Sequence, residues 1–230
     1  MKRLVLFDID GTILRTGGAG RDAMEHALTR VFGTPGDPNH RYDGKTDRQI
    51  VRELMRDEGF ADNEIERRMK EVLELYVEGL KERLEESRRD VQTFPGVIPL
   101  IDTVDESPDS VLGLLTGNVE RGAQLKLASV GLVMERFRVN AFGSDDEVRG
   151  ALPAIAHRRM CDVFGIELAG RDVVVIGDTP SDIDCGRSLG ARAIAVATGR
   201  YTVEQLREHE PFAVFQDLSD TAAVLAAIES

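Results

Sequence analysis

The stretch LVLFDIDGT, residues 4–12, decides the fold. Its first four residues are apolar without alternation, which is typical of a strand buried on both faces of a parallel sheet. The apolar run stops at Asp8, and Asp10 and Gly11 follow as a turn pair. Ligands of open α/β sheets bind at the carboxyl ends of the strands. The stretch therefore predicts a strand whose functional end carries two carboxylates.

Three later apolar runs have the same form, at residues 111–115, 173–176 and 193–197. Helical patterns lie between them, for example over residues 151–164. Strands that alternate with helices, and that are apolar almost throughout, favour a parallel sheet covered on both faces. The predicted fold class is α/β, with a Rossmann-like, doubly wound parallel sheet.

Residues 16–92 have a different texture, because they are charge-rich and helical in their spacing. Apolar residues from Ile65 to Leu84 repeat at helical intervals, and Thr46 or Asp47 is placed to cap a shorter helix. The first strand cannot form a sheet alone, so it must join the strands that follow residue 93. We therefore predict an α/β catalytic core, residues 1–15 and 93–230, and an inserted all-helical cap, residues 16–92.

Composition excludes several classes of protein. The 230 residues include 29 Lys and Arg and 41 Asp and Glu, a net charge of −12. Nucleic-acid binding needs a basic face, so we expect no nucleic-acid partner. The longest apolar run, residues 222–228, is well short of the roughly 20 residues that span a membrane, so we expect no membrane partner. Two cysteines build no disulfide framework, and we expect a cytoplasmic protein.

Two more strand ends carry polar groups that would meet the first. Thr116-Gly117-Asn118 follows one apolar run, and Asp178 and Asp182 follow another. Four carboxylates at one edge of a sheet cannot all stay ionised unless a cation joins them. Oxygen ligands favour a hard ion such as Mg²⁺, which commonly brings phosphate oxygens with it. The sequence thus predicts a phosphoryl site on an otherwise acidic protein.

These motifs resemble a known family. Residues 8–14 (DIDGTIL), 116–118 (TGN) and 177–183 (GDTPSDI) resemble the first, second and fourth signatures of the haloacid dehalogenase superfamily of phosphohydrolases. Residues 94–97 (FPGV) resemble the segment that re-enters the core after a helical cap. A single Asp-x-Asp motif is weak evidence for this family, whereas three motifs in this order at three strand ends are strong evidence. The branch that the chain resembles most is that of the phosphoglycolate-phosphatase-like hydrolases.

The resemblance implies a Mg²⁺-dependent phosphomonoesterase for a small phosphorylated metabolite. Asp8 would be the nucleophile that forms an aspartyl-phosphate, and Asp10 the general acid and then the general base. The metal ligands would be Asp8, the Asp10 backbone carbonyl and Asp178, with Asp182 as an outer ligand. The phosphoryl oxygens would be held by Thr116, Gly117 and Asn118. Separately from the resemblance, the position of Lys45 in a polar loop of the cap makes it a candidate to reach the substrate.

One signature departs from the family pattern. The family usually places a lysine ahead of the helix before the fourth signature, yet no lysine lies between Lys126 and Asp178. Arg149 is the candidate replacement, as a fixed cation between the phosphoryl group and Asp8. Arg158, Arg159 and Lys126 are weaker alternatives. An arginine binds bidentately and is not equivalent to a lysine.

Alternatives to a phosphatase remain at this stage. A sugar phosphomutase could use the same scaffold and return the phosphoryl group to a sugar. A non-catalytic phosphoryl-binding module is the other alternative, but such a protein would be expected to lose Asp8, Asp10 or Asp178, and this chain has all three. The favoured interpretation of Thr46 and Asp47 is a helix cap with solvated charges. We expect a monomer or a homodimer.

Overall fold

The computed structural model describes residues 2–86 and 90–230. Two sheets lie in this part of the chain, one of six strands and one of two. The strands are β1 (Arg3–Phe7), β2 (Leu14–Arg15), β3 (Gln92–Thr93), β4 (Ser110–Thr116), β5 (Val139–Phe142), β6 (Val173–Gly177), β7 (Arg192–Val196) and β8 (Ala213–Phe215). The helices are α1 (Ala19–Phe32), α2 (Asp47–Asp57), α3 (Asp62–Glu86), α4 (Val97–Glu106), α5 (Glu120–Ser129), α6 (Leu152–Phe164), α7 (Pro180–Cys185), α8 (Val203–Arg207) and α9 (Thr221–Glu229).

The large sheet is parallel, in the order β5-β4-β1-β6-β7-β8. β1 lies near its middle, and Phe7 pairs with Leu114 of β4 and Ile176 of β6. The carboxyl ends of these three strands are therefore neighbours, as the motifs require. The predicted α/β fold class is confirmed, and the sheet gains β5 and β8, which the apolar runs did not indicate.

Helices cover both faces of the large sheet. Val5 and Phe7 of β1 belong to one hydrophobic cluster, which α4, α5 and α9 complete. Leu4 and Leu6 point the other way, into a cluster with α6. Successive side chains of a strand face opposite sides, so a strand between two helical layers buries every residue. This arrangement explains why the apolar run at residues 4–7 does not alternate.

A helical insertion, the segment between β2 and β3, has a hydrophobic cluster of its own. The cluster joins α1, α2 and α3 and includes the predicted periodic residues of α3, from Ile65 to Leu84. β2 and β3 pair antiparallel, with Leu14 opposite Thr93, so the chain leaves the core and returns at one place. The domain boundaries at 15/16 and 92/93 stay a prediction, and residues 87–89 of the predicted cap lie outside the described residues.

The N-terminus of α2 has the predicted cap. The Thr46 hydroxyl accepts a hydrogen bond from the Gln49 N–H at 3.1 Å. Across residues 2–86 and 90–230, no helix combines the length and the apolar character needed to cross a bilayer.

Candidate active site

A cavity of about 560 Å³ lies between the carboxyl ends of β1, β4 and β6 and the helical insertion. Its wall brings together most of the predicted site residues, which come from five separate parts of the sequence. They are Asp8, Asp10, Lys45, Thr116, Gly117, Asn118, Arg149 and Asp178. Asp182 lies behind this wall, in contact with Arg149.

Three buried carboxylates form a cluster at the floor of the cavity. Oxygen atoms of Asp8, Asp178 and Asp182 all lie within 4.8 Å of one another. The Thr12 hydroxyl donates to Asp178 Oδ1 at 3.1 Å and orients that side chain. A Cβ at Gly199 would stand 1.8 Å from Asp178 Oδ2, so only glycine lets the backbone pass so close. The cluster is therefore tightly confined.

Burial and mutual repulsion make this cluster electrostatically costly. Burial, together with Asp182 and Asp10, raises the pKa of Asp8 from 3.8 to about 6, although Arg149 acts in the opposite direction. Burial, and then Asp182 and Asp8, hold the pKa of Asp178 well above its usual value. A hard cation would relieve this repulsion, and oxygen ligands are those that such ions prefer. The residues present therefore fit a divalent metal.

Arg149 is the cation that faces Asp8. It lies in a short 3₁₀ helix that leads into α6, and it is almost wholly buried. Its Nη2 lies 3.2 Å from Asp8 Oδ2 and also hydrogen bonds to Asp182 Oδ1. Its buried Nε has no hydrogen-bond partner within the described part of the chain. One donor is therefore left over beside the cavity.

The alternatives to Arg149 on α6 lie elsewhere. Arg159 donates to both oxygens of Asp145, at 2.6 and 2.8 Å, and to the Asn140 carbonyl. Arg158 is exposed on the same helix. Neither side chain lines the cavity.

Asp182 has both carboxylate oxygens engaged. Oδ2 accepts from the Thr179 N–H at 3.0 Å and from its hydroxyl at 2.6 Å, which completes a capping box at the start of α7. Oδ1 accepts from Arg149. The side chain thus fixes Arg149 and the β6–α7 turn, which suits a residue behind the cavity wall rather than a direct ligand.

The Asp10 side chain points away from the buried cluster. Its oxygens accept from Lys126 Nζ at 2.8 and 2.7 Å, and Oδ2 also accepts from Asn118 Nδ2 at 2.7 Å. Lys126 is buried, whereas the Asp10 side chain is 45% exposed. Sequence reasoning gave Lys126 only a minor place. Its helical spacing with Ala123 and Leu127 is the signal that could have placed it on the buried face of α5.

The turn after β4 touches the helical insertion closely. Thr116 ends β4, and its hydroxyl accepts from Asn118 Nδ2 at 2.7 Å. A Cβ at Gly117 would stand 2.0 Å from the Lys45 carbonyl oxygen. Glycine at this position therefore allows the two backbones to meet at the cavity mouth.

The loop before α2 differs in part from expectation. Lys45 lines the cavity, with Nζ 3.1 Å from His40 Nε2 and 2.5 Å from Glu53 Oε2. The expectation that Asp47 is solvated is wrong, because Asp47 is buried. Its Oδ2 accepts from the Val119 N–H at 2.8 Å, and its own N–H donates to the Gly117 carbonyl at 2.8 Å. Asp47 thus ties α2 to the turn after β4.

A family model for the haloacid dehalogenase-like hydrolases matches residues 5–187, which include the three strand ends and most of the residues that line the cavity. This chain belongs to that family.

The relatives of this haloacid dehalogenase-like hydrolase agree with its fold. A phosphoglycolate phosphatase of Mesorhizobium japonicum is 25% identical over 97% of this chain and 94% of its own. A hydrolase from Pseudomonas syringae superposes over the whole of both chains, with a TM-score of 0.74 and 20% identity. CbbY from Rhodobacter sphaeroides, solved in complex with phosphate, does so with a TM-score of 0.76 and 16% identity.

Proposed function

We propose that this hydrolase is a Mg²⁺-dependent phosphomonoesterase that forms an aspartyl-phosphate on Asp8. The phosphatase class predicted from the sequence is confirmed by the hydrolase family and by a full-length relative named phosphoglycolate phosphatase. One observation carries the mechanism. Asp8 directly follows β1 at the wall of a cavity of about 560 Å³, where it is buried and lies 3.2 Å from Arg149.

The proposed metal ligands are Asp8 and Asp178, with the Asp10 backbone carbonyl between them in sequence. Asp182 would support them from behind through Arg149. Bound Mg²⁺ would supply positive charge to the phosphoryl oxygens and to the crowded carboxylates. The raised pKa values of Asp8 and Asp178 support this proposal, because they reflect negative charge that the protein's own cations do not fully compensate.

The reaction would take place in two transfers. An Asp8 oxygen attacks phosphorus, the bond from phosphorus to the ester oxygen breaks, and Asp10 gives its proton to the leaving alcohol. Asp10, now a carboxylate, takes a proton from water as that water attacks the phosphorus. The bond from phosphorus to Asp8 then breaks, and inorganic phosphate leaves with Asp8 restored.

Several groups are proposed to hold the phosphoryl oxygens. Thr116, Gly117 and Asn118 lie on the cavity wall next to Asp8, and Lys45 faces them from the helical insertion. The unpartnered Arg149 Nε supports a role for that residue too, because a buried donor without an acceptor is costly. The cavity is of the size that encloses a small molecule, which supports a small phosphate ester as substrate.

The test is phosphate release from p-nitrophenyl phosphate and a panel of small alkyl phosphates, with Mg²⁺ or with EDTA. We expect release with Mg²⁺ only, and a fall in kcat of at least about 1,000-fold in Asp8→Asn, since loss of a nucleophile removes the first transfer. Asp57→Asn, an exposed change on α2, is the matched control.

Two results would contradict the proposal. Near-normal turnover in Asp8→Asn would exclude this nucleophile. No release from any ester by the folded protein would direct attention to transfer between sugar phosphates. An acid quench during turnover adds a positive sign, since the peptide that contains Asp8 should gain the mass of a phosphoryl group.

A further inference from the structure

We propose that Lys126 is a positioning residue, which holds the Asp10 carboxyl group in the orientation needed for proton transfer to the leaving group. The inference rests on the proposed function, in which Asp10 is the general acid and base. Lys126 lies on α5, remote in sequence from Asp10, and its side chain is only 5% exposed.

The hydrogen bonds of Lys126 leave it no donor for a substrate. Its Nζ lies 2.8 and 2.7 Å from the two Asp10 oxygens and 2.6 Å from Asn118 Oδ1. A lysine ammonium has three protons, and three acceptors of this kind use them all. Lys126 therefore acts on the reaction through Asp10 and not by direct contact with the ester.

Asp10 needs such an anchor. Its side chain is 45% exposed, and an exposed aspartate exchanges between rotamers freely. Lys126 contacts both of its oxygens, and Asn118 Nδ2 adds a second donor at 2.7 Å. The same Asn118 amide donates to Thr116 Oγ1 at 2.7 Å. The acid–base group is thus tied to the turn proposed to bind the phosphoryl group.

Stability alone gives no reason for a lysine here. Position 126 lies on the buried face of α5 with Ala123 and Leu127, where an apolar side chain is the ordinary occupant. Burying the Lys126 ammonium costs free energy of desolvation. An ion pair with a half-exposed partner such as Asp10 offsets only a small part of that cost. A role in orienting Asp10 explains the presence of a lysine at this position, which packing does not explain.

Lys126→Met tests the proposal, because methionine keeps the length of the stem and removes the charge. The readout is kcat for two esters on the same sample: p-nitrophenyl phosphate, whose phenolate leaves with little help from an acid, and the best alkyl phosphate of the panel. We expect kcat to fall about 100-fold for the alkyl ester and no more than about threefold for p-nitrophenyl phosphate. Loss of folded protein lowers both values equally, so the ratio reports Asp10 alone.

Two comparisons sharpen the result. Asp10→Asn should show the same selective loss, and the double variant should be no worse than Asp10→Asn, since Lys126 acts through that residue. Lys70→Met on the exposed face of α3 is the matched control and should leave the ratio unchanged.

Three outcomes would overturn the positioning role. They are equal losses for the two esters, no loss for either, and losses that multiply in the double variant. Each of these requires a wild-type enzyme with Mg²⁺-dependent release. If the wild type released no phosphate, or if Asp8→Asn stayed active, the proposed function itself would fail instead.

Discussion

At the scale of single residues, Arg149 is a buried cation that pairs with Asp8. Its side chain is buried and forms ion pairs with both Asp8 and Asp182. The sequences that this chain resembles usually place a lysine in that role. An arginine contacts two carboxylates with separate N–H groups, whereas a lysine offers one point charge.

Arg149→Met should lower kcat by roughly 1,000-fold, since it leaves the buried carboxylates without their cation, and Arg149→Lys by about tenfold. Steady-state kinetics with saturating Mg²⁺ measures both. Arg159→Met is the matched control, because Arg159 pairs with Asp145 away from the cavity. A methionine variant with wild-type kcat would remove Arg149 from the mechanism.

Residues of the site differ in how far the sequence predicts them. Asp8 and Asp178 follow unbroken apolar runs, so their place at strand ends could be deduced from pattern alone. Arg149 lies in an irregular segment and was reached only through a gap in the family motif. Lys126 and Asp47 are buried charges, and a charge on a helix is by default assigned to solvent. Only the fold shows which acceptors surround them.

At the scale of elements, the N-terminus of α2 is held from two sides. The Thr46 hydroxyl donates to the Glu147 carbonyl at 2.8 Å, and Asp47 accepts from the Val119 N–H at 2.8 Å. Burial raises the pKa of Asp47 from 3.8 to about 6, although Lys126 acts in the opposite direction. The folded state therefore favours the protonated form of this carboxyl more than the unfolded state does.

Asp47→Asn should alter how stability depends on pH. The contribution of the raised pKa is fully present below about pH 4 and is lost as pH rises through about 6. At about pH 8 the buried carboxylate therefore costs about 2–3 kcal/mol that a neutral asparagine avoids. In urea unfolding, the free energy of unfolding of Asp47→Asn should rise relative to that of the wild type between about pH 5 and about pH 8.

Asp57→Asn at the exposed end of the same helix controls for the loss of charge. The same difference between Asp47→Asn and wild type at both pH values would show that Asp47 stays ionised throughout.

Elements were predicted better where hydrophobic pattern is strong. The four long apolar runs became β1, β4, β6 and β7, and the periodic run at residues 65–84 became most of α3. β5 is four residues long and contains Asn140, and β8 has three half-buried residues. Such edge strands form because they pair with a neighbouring strand of the sheet, and a local sequence pattern does not reveal that pairing.

At the scale of the whole molecule, an ion-pair bridge joins the helical insertion to the core. Arg52 of α2 donates to both Glu147 oxygens, at 2.6 and 2.9 Å, and Glu147 lies two residues before Arg149. The bridge connects α2 of the helical insertion to the core segment that carries Arg149. We expect it to help hold α2 against this segment of the core.

Arg52→Met should lower kcat/KM about fivefold, since a half-buried bidentate pair contributes about 1 kcal/mol. Glu147→Gln should have a similar effect, and the double variant should be no worse than either single one. A double-mutant cycle on kcat/KM measures this. Arg56→Met, which breaks an exposed pair with Asp62 inside the insertion, should change nothing. Fully additive losses would mean that the two side chains do not act together.

The central place of β1 has a consequence for synthesis on the ribosome. β1 is made before both of its neighbours, yet β4 begins at Ser110 and β6 at Val173. At about 5–20 residues per second, the apolar strand waits on the order of ten seconds for its second partner. During this time its unpaired edges are open to wrong pairing or to a chaperone. A nascent chain that stops before Asp178 carries Asp8 without the two other carboxylates of its cluster, so the proposed metal site can form only after β6 and the turn that follows it have been made.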